Sequence, residues 1–76
     1  MKPNIINESK GERFKRLATV RTNRILNDLR VLGNCANRGN YEYNERQVAE
    51  IFDVIEKQVK TIKNRFNNKI RDRFQL

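Results

Sequence analysis

Residues 44–73 read NERQVAEIFDVIEKQVKTIKNRFNNKIRDR, and this stretch decides the fold class. Val48, Phe52, Ile55, Val59, Ile62 and Phe66 recur at alternating steps of four and three, with Ile51 beside them. That spacing lays one apolar seam along a helix, whereas a strand would alternate every second residue. The start is equally legible. Asn44 is a good N-cap, Gln47 sits at the third helical position, and Glu45 suits the positive end of the helix. Tyr43, just before the cap, is placed to pack on Val48 as a hydrophobic staple. Past Phe66 the strict seam positions fall on Lys69 and Arg73, while Ile70 and Phe74 continue at steps of four. The stripe therefore drifts around the helix in its last turns. The spacing predicts a helix over residues 45–73.

Working outward toward the N-terminus, Asn37-Arg38-Gly39-Asn40 breaks the pattern. Glycine and asparagine tolerate the left-handed backbone that ends many helices, so Gly39 is the expected cap, with Gly33 as an alternative end. Before the break, Phe14, Ala18, Ile25, Leu29, Leu32 and Ala36 form a second helical stripe, with Thr22 filling one gap and Leu17 and Leu26 flanking. Ser9 and Glu12 match a capping box, in which each side chain satisfies a backbone N–H left open at the helix start. The first helix is expected over residues 10–36. Residues 1–8, with Pro3 and two asparagines, read as a flexible arm ahead of a helical domain at 9–76.

Two long helices joined by a short loop make an antiparallel hairpin in an all-α fold. The chain has 76 residues. Below about 70–80 residues a lone core rarely supplies more than ~3–5 kcal/mol, and small proteins usually add a disulfide, a metal or a partner. Cys35 is the only cysteine and there is no histidine, so neither a disulfide nor a structural zinc site is expected. The remaining source is association. The hairpin is expected to be completed by oligomerisation into a helical bundle, or by docking on a larger protein. The expected interface comprises Phe14, Leu29, Leu32, Val48, Phe52, Ile55, Val59, Ile62 and Phe66. Val20, Val31 and Cys35 lie on the opposite side of the first helix, and Cys35 is expected to pack as a small hydrophobe.

Charge is unevenly placed along the chain, whose formal net charge is +8. Residues 1–38 carry nine basic and three acidic side chains. Residues 41–56 carry five acids (Glu42, Glu45, Glu50, Asp53 and Glu56) against Arg46 alone. Residues 57–76 return to seven bases and one acid, Asp72. An antiparallel hairpin would gather Arg13, Lys15, Arg16, Arg21 and Arg24 near Lys57, Lys60, Lys63, Arg65, Lys69, Arg71 and Arg73. Concentrated basic charge attracts phosphate through counterion release. Arg38 in the loop joins this candidate set. Acids at the start and bases at the end of the second helix would also arise from the helix dipole alone. The first helix is different: Arg13, Lys15 and Arg16 crowd its positive end, an arrangement that needs an anion to offset it. Tyr41 could stack an unpaired base, although turn formation and the nearby Glu42 argue against that use of the loop.

Catalysis is not expected. There is no histidine for acid–base work near neutrality, no glycine-rich phosphate loop, and nothing beside Cys35 to activate its thiol. No cofactor or metal is expected either. Helix-turn-helix, ribbon-helix-helix and basic-zipper patterns all fit poorly. The expectation is therefore a basic accessory protein holding RNA or DNA mainly through its phosphate backbone. The rival is a protein-interaction adaptor or inhibitor that docks an apolar helix face. A lone cysteine, no apolar leader and no spanning segment suggest a cytoplasmic protein without a membrane partner. A helix lying on an anionic membrane surface is the remaining, weaker option.

Overall fold

The computed structural model describes the backbone of residues 7–73 and the side chains of residues 7–71. Among the described residues the protein is all-α. Helix α1 spans Lys10–Gly33, a 3₁₀ turn covers Asn34–Ala36, and helix α2 spans Glu45–Arg73. The chain divides into two compact units, one ending at Tyr41 and one beginning at Glu42. The arm expected over residues 1–8 lies mostly outside the described residues, as does Phe74.

Helix α1 opens on the expected capping box. The Glu12 N–H donates to Ser9 Oγ at 3.0 Å, and the Ser9 N–H donates to Glu12 Oε1 at 2.9 Å. Helix α2 opens on the same reciprocal arrangement built from amides. The Gln47 N–H donates to Asn44 Oδ1 at 2.8 Å, and the Asn44 N–H donates to Gln47 Oε1 at 2.9 Å. Each box satisfies donors that a helix start leaves unpaired. Tyr43 and Val48 are both half-buried, as a staple requires.

The end of α1 differs from the left-handed cap expected at Gly39. No described residue has a positive φ. The α-helix stops at Gly33, and the last residues of the expected 10–36 span tighten into the 3₁₀ turn. Asn37 then leaves in an extended conformation, φ −68° and ψ 102°. Its side chain organises the loop by accepting the Gly39 N–H at 2.8 Å, while its carbonyl accepts from Asn40 and Tyr41 at 3.1 and 3.0 Å. Asparagine side chains often mimic a backbone turn in this way, and that removes the need for a left-handed glycine. Cys35 is exposed on the 3₁₀ turn, so the packing expected of it is not made among the described residues.

No described side chain is fully buried. On α1, Leu17, Ala18 and Leu32 are half-covered, whereas Phe14 and Ile25 remain more than half exposed. On α2, Val48, Ile55 and Ile62 are half-covered at intervals of seven residues. Phe52, Val59 and Phe66, the other members of the seam, remain 44%, 57% and 53% exposed. Neighbours one turn away on the same helix can shield a side chain only partly. Within each unit the described seam residues are thus only partly covered.

Candidate nucleic-acid interface

The basic residues singled out in the sequence divide by unit. Arg13, Lys15, Arg16, Arg21 and Arg24 lie on α1, and Arg38 lies in the turn after it. Lys57, Lys60, Lys63, Arg65, Lys69 and Arg71 lie on α2, as does the backbone of Arg73.

On α1 the crowded start has its own anion. Glu8, one residue before the cap, turns back over the first helical turns. Arg16 grips it with two hydrogen bonds, from Nε to Oε2 at 2.8 Å and from Nη2 to Oε1 at 2.9 Å. Arg13 Nε stands 3.9 Å from Oε1. The Glu8 side chain is only 12% exposed. The Arg16 hydrogen bonds hold the Glu8 carboxyl below its ordinary pKa, and Glu8 in turn raises that of Arg16. An anion within the chain thus stands beside Arg13 and Arg16.

On α2 the charges sort into two halves. In the first, Arg46 pairs with Glu50 at 3.5 Å and Lys57 with Asp53 at 3.1 Å, both one turn apart. In the second, Lys60, Lys63, Arg65, Lys69 and Arg71 have no ion pair among the described residues. At about 100° of rotation per residue, Lys60, Asn64, Asn67 and Arg71 share an arc of roughly 60° on the side away from the seam, and Lys63 lies between that arc and the seam. Arg65 and Lys69 lie on the other flank. There they line a shallow hollow with Ile62, Phe66 and Asn68. Lysine and arginine supply charge for phosphate, and the interleaved asparagine amides can donate and accept hydrogen bonds along a backbone.

Sequence reasoning found these cations but missed Glu8, which it had placed in the arm. The signal was available: a carboxylate just before the N-cap, with arginines five and eight residues on. Tyr41 is 51% exposed, and its N–H is engaged by Asn37. No group of acidic or cysteine side chains able to hold a metal occurs among the described residues, and no described helix is long and apolar enough to cross a membrane. The chain matches no known family model, no characterised protein and no solved structure.

Proposed function

We propose that the protein is a small, non-catalytic, helical accessory subunit that holds nucleic acid through its phosphate backbone. The observation that carries this reading is the run of cations on the second half of α2, Lys60, Lys63, Arg65, Lys69 and Arg71, which make no ion pair among the described residues. Among the described residues none of the five makes an ion pair, although Glu56 stands one turn before Lys60, whereas the acids Glu50 and Asp53 of the first half of α2 already have Arg46 and Lys57 beside them. A cluster of this kind repels itself and gains most from an anion carrying several regularly spaced charges. The residues that would touch phosphate are those five together with Lys57 and Arg73. Lys15, Arg21, Arg24 and Arg38 contribute in the assembled state, and Arg13 and Arg16 contribute less because Glu8 engages them.

In this reading α1 and α2 close as an antiparallel hairpin, and copies of the hairpin associate into a bundle in the cytoplasm. Association supplies the apolar burial that the separate helices lack. Phe14, Leu29 and Leu32 on α1 and the seam on α2 would form that interface.

The second reading is a protein-interaction adaptor, and the exposed seams favour it directly. Fluorescence anisotropy with labelled single- and double-stranded RNA and DNA, at low and moderate salt, separates the two. Binding that weakens steeply with salt supports the nucleic-acid reading. Absence of binding at low salt turns the assignment to a protein partner, whose apolar contacts would persist at high salt.

A further inference from the structure

We infer that the seam of α2 is covered by the α2 helix of a second copy of this chain, running antiparallel, with a two-fold axis at the level of Lys57. The pattern of the helix itself carries this. Val48, Ile55 and Ile62 form one column of the seam, and Phe52, Val59 and Phe66 form the other. Antiparallel helices layer one column against the partner's other column. Centred on residue 57, Val48 meets Phe66 of the second copy, Phe52 meets Ile62, and Ile55 meets Val59. All six seam residues are thereby layered without a mismatch, along about 27 Å of helix.

Charge then chooses the direction. One heptad step beyond each end, the columns continue onto Glu45 and Lys69, the two places where the apolar pattern stops. In the antiparallel register Glu45 of each copy meets Lys69 of the other, giving opposite charges at both ends. In a parallel pair Glu45 would meet Glu45 and Lys69 would meet Lys69. The same holds at larger scale. The antiparallel pair sets the acidic first half of α2 (Glu45, Glu50, Asp53 and Glu56) beside the cations of the second half, and a parallel pair would set those cations against their own copies. The antiparallel register leaves one like-charge meeting, Glu56 with itself beside the axis, against two at the seam ends of the parallel one.

Such a pairing also disposes the two basic halves at opposite ends of the dimer, each pointing away from the axis. This inference rests on the oligomer in the proposed function but not on nucleic acid, and it is tested without any.

The test is charge reversal on the full chain, read by sedimentation equilibrium, with circular dichroism confirming that helicity is kept. Glu45→Lys alone, and Lys69→Glu alone, should each weaken self-association roughly tenfold, the scale of two exposed ion pairs turned repulsive. The double variant should return to within about threefold of the native chain. A parallel pair retains like charges in every variant, so unchanged singles or an unrescued double would overturn the inference. A second measurement uses Cys35→Ser chains carrying Glu45→Cys or Lys69→Cys. Disulfide dimers should form on mixing the two and in neither alone. Dimers from Glu45→Cys alone would establish the parallel register, and a chain monomeric throughout would remove the oligomer as well.

Discussion

Arg16 and Glu8 form a two-pronged pair, both hydrogen bonds under 3 Å, that folds the residue before the cap back across the first two turns of α1. Glu8 is the more enclosed partner, with 12% of its side chain exposed against 45% for Arg16. This pair has a pH signature. Because the Glu8 pKa is lowered in the folded chain, its contribution is present above the ordinary carboxylate range and is lost as pH falls through the lowered value. A carbon-detected NMR titration should place the Glu8 carboxyl below the ordinary glutamate value. Glu8→Gln should remove the low-field shift of the Arg16 side-chain Nε–H. A Glu8 that titrates at or above the ordinary value would contradict the pair in solution.

The two capping boxes should be the most sensitive polar positions for helix stability. Ser9→Ala and Asn44→Ala are each expected to cost about 1 kcal/mol, the typical loss when a side-chain cap is removed. Thermal unfolding followed by circular dichroism measures this directly. An effect no larger than that of an exposed mid-helix change such as Thr19→Ala would deny the caps their role.

Binding should discriminate between the two groups of cations. Replacing Lys60, Lys63 and Arg71 together by glutamine should weaken binding to duplex DNA at every sequence. It should also flatten the salt dependence by about 2–3 in log–log slope, at ~0.9 for each phosphate no longer neutralised. Replacing Arg13 and Arg16 together should have a smaller effect, since both face Glu8. Equal losses from the two sets would mean that the Glu8 pairing gives way to phosphate.

The α2 seam should reveal itself through concentration. If a partner copy covers it, the melting temperature rises with protein concentration, because association is linked to folding. Phe52→Ala should then lower stability by about 3–5 kcal/mol, as for an aromatic removed from a packed interior. In a chain that stays monomeric the same change removes a side chain that is 44% exposed and costs far less. A melting temperature independent of concentration would exclude the covered seam.

The helices, their starts and the seam were legible in the sequence because each depends on residues within a turn or two of one another. Ser9 with Glu12, and Asn44 with Gln47, act over three residues, and periodicity needs only the helix itself. The end of α1 was less legible. Several short-range arrangements compete there, and the Asn37 side chain won over a left-handed Gly39 by supplying the turn's hydrogen bond itself. Glu8 was overlooked because its partner lies eight residues away, a separation that matters only once the cap has reversed the chain. Of the candidate interface, the identity of the cations could be read directly. Which of them are already neutralised could not, since Lys57 and Lys60 each fall one turn after an acid, Asp53 and Glu56, and among the described residues the ion pair forms at Lys57 and not at Lys60.

That no described side chain is fully buried also bears on how long the protein would last inside a cell. Backbone hydrogen bonds at the surface of a helix without a packed side open locally at little cost, and opened segments are what proteases cut. A copy without its partner would be degraded quickly, and an assembled copy would be spared. With a second copy as that partner, protection would rise with the protein's own concentration, so that sparse copies are cleared and abundant ones persist.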